Sequence, residues 1–433
     1  MHLGLFAVGT GNHIAGWRHP GASKSASDIK VFLEMAKTAE RAKFDMFFLA
    51  DGVKCSPDYH PGFLNQLEPM TALSAISMVT SHIGLVATAS TTYSEPYNLA
   101  RTFASLDLIS GGRAGWNMVT TSDPDSGQNF GRAEIEHDLR YEIAAEFVEV
   151  TRGLWDSWES DAIEANVESG RYAIPEKVHF LDHDGKHFQV RGPLNAARCP
   201  QGYPVLIQAG SSKTGQEFAA KYAEVMFTVQ QDLEVAASFY AQVKQRVHEQ
   251  GRDPQHCKIL PGLLPVVGRT EREAQEKLAE LASYVDEESA METMSFRLGH
   301  DMSQYSLDGP VPKLPISGNV QGYRRMVLTD AYRKNYTLRE LYNLFAVSRG
   351  YLIVCGTPSQ VVDAMEEWFK APACDGFNLT PAHFPESLDD FAELVVPELQ
   401  RRSLFRTEYS GRTLREHFGL PVPTNRYSES GDG

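Results

Sequence analysis

Residues 101–130 read RTFASLDLISGGRAGWNMVTTSDPDSGQNF, and the order of signals within them decides the fold. Leu99, Phe103 and Leu106 recur at helical spacing, Pro96 stands in the opening turn, and Gly111-Gly112 mark the stop. From the glycine pair the chain passes straight into a strand, Arg113 to Val119. Its far end turns polar at Asn117, Thr120, Thr121 and Ser122, where a strand buried on both faces would stay apolar. Polar groups at the C-terminal end of a parallel strand are where α/β barrels keep their chemistry. The segment that follows, Asp123 to Gly131, is long enough to move or to fold over a ligand.

Working outward, apolar runs alternate with amphipathic stretches through most of the chain, the signature of βα units. Eight strands are expected: His2 to Val8, Phe44 to Asp51, Ile83 to Ser90, Arg113 to Val119, Pro204 to Ala209, Ala223 to Val229, Lys258 to Val267 and Asp375 to Pro381. Helices follow them at Ile29 to Arg41, Glu68 to Val79, Asn98 to Ile109, His137 to Ser157, Lys213 to Tyr222, Leu233 to His248, Glu271 to Val285 and Leu388 to Arg402. Eight such units favour a closed (β/α)8 TIM barrel over an open doubly wound sheet. The barrel is expected to occupy residues 1–409 as a single domain with two insertions. Residues 177–194 read as a β-hairpin turning at Asp184-Gly185. Residues 286–349 have weak periodicity and read as a lid or an interface. The tail, residues 410–433, reads as loosely held.

Composition limits the partners. A net charge of −15 and the lack of a basic stripe argue against nucleic acid. No apolar run approaches membrane-spanning length, and the start MHLGLFAVG does not resemble a secretory signal. The five cysteines are scattered without CxxC spacing, which fits a reducing compartment, and the cytoplasm is the expected location.

The candidate chemistry lies at strand ends. Asp51 ends the second strand and can accept from a ligand N–H or cap its own loop; Thr88 begins a hydroxyl-rich end to the third. His137 and Tyr141 share one face at the start of a helix, with Arg140 beside them, where an anion is attracted. Gly210-Ser211-Ser212 joins a strand to a helix N-terminus, the arrangement that presents N–H groups and hydroxyls to a phosphate. The two together suggest a two-sided phosphate clamp. The first loop, Gly9 to Ala22, carries His13, Trp17, Arg18 and His19 at the same rim, without a third metal ligand at a usual spacing, so no metal is expected. Arg18, Arg297 and Arg349 are candidates to receive a carboxylate if folded into the pocket, or else lie at the solvated surface.

The block ARTFASLDLISGGRAGWNMVTTS, with LADG before it and HDLRYE and PVLIQAGSS after it, resembles the bacterial-luciferase-like, reduced-flavin-dependent monooxygenases. More narrowly it is similar to the branch containing the nitrilotriacetate, EDTA and dibenzothiophene-sulfone monooxygenases. The resemblance implies a barrel that takes FMN as FMNH2 from a separate NAD(P)H:flavin reductase and uses O2, through a C4a-hydroperoxide, to oxygenate a small molecule, in some relatives with C–N or C–S cleavage. It implies FMN contacts at Asp51, Thr88, Asn117, His137, Tyr141, Ser211 and Ser212, and a reacting side formed by His13, Trp17 and Asn117. A homo-oligomer is expected. The alternatives are a deazaflavin-dependent dehydrogenase on the same barrel and a flavin-binding protein without turnover.

Overall fold

The computed structural model describes residues 1–56, 60–121, 123–210, 212–314, 327–329 and 331–428. Its centre is a ring of parallel strands: β1 (His2–Phe6), β2 (Met46–Leu49), β3 (Gly84–Ser90), β4 (Ala114–Val119), β5 (Val205–Gln208), β6 (Val225–Thr228), β7 (Lys258–Val267) and, after an additional strand β8 (Leu352–Gly356), β9 (Gly376–Leu379). Around the ring the order is β1-β2-β3-β4-β5-β6-β7-β9, and β9 pairs back onto β1 to close the expected eight-stranded barrel. The ninth strand is an addition that the sequence pattern did not reveal. β7 pairs with β6 over Lys258–Pro261, and its later residues, Leu263–Val267, run on and take β8 as an outer neighbour. A short apolar run does not announce on which side of a ring it will pair.

The quoted stretch shows how sequence becomes geometry. Pro96 opens the helix Pro96–Ser110, and Gly111 closes it in the left-handed conformation with φ 70°. Gly112 follows at φ 94°, and a Cβ there would lie 2.7 Å from the Thr413 methyl. Arg113 is buried at the strand entry and its guanidinium donates to the carbonyls of Ser77, Thr80, Ile83 and Ser110 and to the Thr80 hydroxyl, at 2.8–3.1 Å. Strand alternation then sends Trp116 and Met118 outward into the layer beneath the helices, where Trp116 meets Phe103 and Phe147 at 5.8 Å. Gly115 and Asn117 consequently face the bore. The segment after the strand is a wound turn, Pro124–Phe130, and not an open loop. Lys54 reaches Asp125 at 2.6 Å, Asn129 donates to the Val53 carbonyl at 2.8 Å, and Phe130 stacks on Tyr93 at 4.7 Å.

Over its described part, residues 410–428, the tail is held against the barrel and not loose. A short helix, Leu414–His417, enters the floor of the barrel, with Leu414 and Phe418 fully buried. Two bore-facing glycines make the room: a Cβ on Gly84 would lie 2.2 Å from Leu414 and one on Gly115 3.1 Å from it. Beside the plug Arg415 forms a two-pronged ion pair with Glu224 and donates to the Gln201 and Tyr203 carbonyls at 3.1 and 3.2 Å.

In residues 177–194 the paired residues are His183–Asp184 and Gln189–Val190, so Asp184 belongs to the ladder and residues 185–188 make the turn. Glu146 pins that turn by accepting from the His187 and Phe188 N–H groups at 3.0 and 2.9 Å. A second hairpin, Ile163–Asn166 with Arg171–Ala173, precedes it. Within 286–349 the helices Glu287–Leu298 and Leu338–Ser348 build a separate apolar cluster with Ile14 and Ala15 of the first loop.

Arg415→Ala should lower stability by about 3–5 kcal/mol, because it leaves the Glu224 carboxylate unpaired among buried groups, whereas Arg415→Met with Glu224→Gln should recover most of the loss. Denaturant midpoints of the two variants check this.

Candidate active site

The C-terminal rim of the barrel gathers the polar side chains. On β3 and β4, Thr88 and Asn117 lie side by side in the register and both are buried. The Thr88 hydroxyl donates to the Leu49 carbonyl at 2.9 Å and accepts from the Asn117 amide at 2.9 Å, which leaves Asn117 Oδ1 without a protein partner. Asn378 and Thr380, at the end of β9, and Thr10, beyond β1, are buried with polar atoms likewise unpartnered, as is one end of Gln230 beyond β6. Buried polar groups are ordinarily satisfied, so this group at one end of one bore fits a polar, hydrogen-bonding ligand. Asn378 interrupts the apolar run GFNL as Asn117 interrupts AGWNMV, a signal that was available in the sequence and passed over there.

Apolar rings surround these groups. Phe6 packs on Phe48 at 5.2 Å and on Phe227 at 5.5 Å, and Tyr351 closes on Phe227 at 5.5 Å. Asp51 is half-buried at the β2 end, accepts from Gly52 N–H and Gln66 at 2.9 Å each, and has its pKa raised, chiefly by burial. It therefore both caps its loop and faces the rim.

Two helix N-termini meet on the β4–β5 side. His137 and Tyr141 stand on one face of the helix His137–Asp156 with rings 5.2 Å apart, and Thr214, in the first turn of the helix Lys213–Tyr222, donates to Asp138 at 3.3 Å. Ser212 caps the second helix by accepting from Gly215 N–H at 3.0 Å. The Tyr141 hydroxyl is set into this corner: a Cβ on Gly215 would lie 2.8 Å from it and one on Gly210 3.0 Å. Burial raises the Tyr141 pKa, so its hydroxyl remains a donor. The corner, small-residued and rich in N–H and O–H groups, fits a phosphate. Ser211 lies outside the described residues. Arg140, beside them, is buried and gives a hydrogen bond from Nη1 to the Ile135 carbonyl at 2.8 Å, while its Nε has no partner among the described residues.

On the first loop, His13 is fully buried, accepts from Ala15 N–H at 2.9 Å through Nδ1, and lies against the Leu281 backbone. Trp17 stands on a single 3-10 turn, 40% exposed. His19 stacks on His383 at 3.9 Å, with Glu386 the third member of a potential ligand group that no sequence spacing could disclose. Lys277 lies 3.5 Å from that carboxylate and supplies its counter-charge. Arg18 is exposed and donates to the Tyr284 carbonyl at 2.6 Å, the side chain of Arg297 lies outside the description, and Arg349 is buried at the rim.

Burial holds His13 at a pKa of about 4 and His383 at about 3. Both values lie below the unfolded value, so between pH 6.5 and 4 the unfolded chain takes up protons that the folded chain refuses, and stability falls as the pH drops. Each histidine should cost on the order of 2 kcal/mol between pH 7 and 5. Urea midpoints at the two pH values should diverge less in His13→Asn, which keeps an acceptor for Ala15, and less again when His383→Asn is added.

The sequence matches the luciferase-like monooxygenase family over residues 6–374. It is 52% identical to N-acetyl-S-(2-succino)cysteine monooxygenase of Bacillus subtilis (strain 168), over 99% of this chain and 98% of the relative. It is 45% identical to nitrilotriacetate monooxygenase component A of Aminobacter aminovorans, over 98% and 97%. Among solved structures it resembles a riboflavin lyase crystallised with modified FMN and riboflavin, with a TM-score of 0.87 and 32% identity over 98% of this chain and 96% of the other. A closed parallel barrel with its polar groups at the C-terminal rim, matched along nearly its whole length, makes this chain a member of the luciferase-like monooxygenase family.

Proposed function

We propose that this chain is the oxygenating component of a two-component monooxygenase, which takes FMN already reduced by a separate NAD(P)H:flavin reductase and acts with O2 on a small organic substrate. The observation that carries the reading is a pair of complementary features on one rim: the Tyr141, Ser212 and Gly215 corner at a helix N-terminus, and the Thr88–Asn117 pair with an unpartnered amide oxygen in the bore. The first suits the phosphate of FMN and the second the polar edge of its ring. The "component A" in one relative's name and the modified FMN in one structural neighbour support the same reading.

Reduced FMN, when bound, supplies the two electrons with which one oxygen atom of O2 enters the substrate and the other leaves as water. The chain's own part is to bind, orient and keep water out. Tyr141, Ser212 and His137 would hold the phosphate, and Ser211, next to Ser212 in sequence, is proposed with them; Thr88, fixed by the Leu49 carbonyl, holds the Asn117 amide, which would meet the ring. Asp51, at the end of β2 with its pKa raised by burial, would contact the flavin from that side of the rim. Phe6, Phe48, Phe227 and Tyr351 line the mouth with apolar surface and exclude water. His13 would shape the substrate side from within the first loop, where it fixes Ala15, and Trp17 would do so from the exposed rim. The two relatives are named for a carboxylated amine and a carboxylated thioether. A carbon hydroxylated beside nitrogen or sulfur splits to a carbonyl compound and an amine or thiol, and substrates of that kind fit the reading. The cytoplasm and a homo-oligomeric state complete it.

Tyr141→Phe should weaken FMN binding about tenfold, the worth of one hydrogen bond to a charged group. Asn117→Ala should leave FMN bound but uncouple turnover, so that more of the oxygen consumed appears as peroxide. Flavin fluorescence titration and an oxygen electrode with FMN, NADH and a reductase check both. Turnover that continues without O2 would show hydride transfer instead, and tight FMN binding with no substrate-dependent oxygen uptake would show a binding protein.

A further inference from the structure

We propose that His19, His383 and Glu386 bind a divalent transition ion of the zinc class, which staples the first loop to the segment that follows β9. The site lies against the run-on end of β7 and the helix Glu271–Ser283, and it stands whatever the bore is used for. Among the described residues, one group of His, Cys, Asp or Glu side chains brings three donor atoms within 4.8 Å of one another, and it is this one. The two imidazoles are nearly parallel, 14° apart in plane and 3.9 Å between centres, and His19 Nδ1 stands 3.9 Å from Glu386 Oε2. Donors around a tetrahedral zinc lie about 3.4 Å apart, given bonds of about 2.1 Å. The difference is small, and the Glu386 side chain, about half exposed, has room to swing and close it.

The surroundings call for a cation. His383 is only 6% exposed, and Nδ1 of each histidine is buried without a hydrogen-bond partner among the described residues. Buried nitrogens are ordinarily satisfied, and a metal satisfies an imidazole lone pair. Three carboxylates, Glu273, Glu386 and Asp390, gather about the ammonium of Lys277, which sits nearest Asp390. That cluster is short of positive charge, and Glu386 turns Oε1 to Lys277 but Oε2 to His19. The cavity they line measures about 20 Å³, room for one water-sized group. Two imidazoles and a carboxylate suit zinc and its first-row neighbours better than Mg2+ or Ca2+, which seek oxygen. Along the chain His13 and His19 formed the visible pair, with no third ligand near. In the fold His13 Nδ1 is taken by the Ala15 N–H, and the partners of His19 come from the far end of the sequence. That distant segment already runs beside the loop: the N–H groups of Asn12, His13 and Ser23 donate to the carbonyls of Pro381, Ala382 and Phe384 at 2.9, 3.1 and 2.9 Å. An ion at His19 fastens the same seam, and its binding free energy becomes stability of the joined segments.

Calorimetric titration of tag-free, chelator-washed protein with zinc chloride tests the site, and limited trypsinolysis tests the staple. The wild type should take up a single equivalent. Zinc should also slow cleavage after Arg18 and Lys24, the exposed residues on either side of His19, about tenfold, because the ion opposes local opening of the loop. Glu386→Gln, a change at a half-exposed position that spares the core, and His383→Asn should each weaken zinc binding about 100-fold or more and abolish the protection. His183→Gln combined with His187→Gln, in the other histidine-bearing surface cluster, should change neither. No zinc uptake by the wild type, uptake that survives both Glu386→Gln and His383→Asn, loss of uptake in the hairpin variant, or equal binding of Mg2+ overturns the proposal. Zinc that binds through these residues without slowing cleavage overturns the staple.

Discussion

A closed eight-stranded ring must be filled from the inside, and the rest of this structure follows from how that is done. Interior positions near the floor are small, with Gly84 and Gly115 facing the bore, so the strands alone leave it open at that end. The C-terminal segment fills it with Leu414 and Phe418, and the Arg415–Glu224 pair ties the plug to the entry of β6. A buried ion pair of this kind gives little net stability and a good deal of placement, since neither charge tolerates the loss of the other. With the floor plugged by Leu414 and Phe418, the buried side chains Thr88, Asn117, Asn378 and Thr380 stand at the opposite rim.

At that rim the same alternation that buries Trp116 outward directs Asn117 inward, and the register of β3 and β4 delivers Thr88 beside it. The corner proposed for a phosphate is made differently, by two helix N-termini brought together over glycines that leave space for the Tyr141 hydroxyl. The proposed binding groups therefore stand on strand ends and helix starts, while the first loop and the 286–349 insertion share one apolar cluster. Such a division lets a family keep its cofactor site and change its substrate.

Much of this was legible in the chain. The helix, glycine stop and strand of residues 96–119 follow from local chemistry: proline at a helix start, a left-handed glycine at its end, and a period that changes from 3.6 to 2. The eight barrel strands were visible for the same reason. His137 and Tyr141 share a face because their spacing is helical, whatever packs around them. The misses are of another kind. The tail reads as polar and short, and only the hole between Gly84 and Gly115 makes Leu414 a core residue. β8 is an apolar run like the others, and its place outside the ring depends on β7 overrunning the barrel.

The sequence by itself determined the elements, their order and the residue types offered at each strand end, because those depend on contacts a few residues apart. Tertiary structure alone decided which of those residues meet. Three arginines were equal candidates along the chain; the fold places Arg18 at the surface and Arg349 over Phe6, some 340 residues away in sequence, because a left-handed helix end beside a closing barrel points it there. Likewise the stretch 101–130 specifies a strand with an asparagine in it. That the asparagine ends with one amide atom bound to Thr88 and the other directed into the bore depends on the closure of the ring.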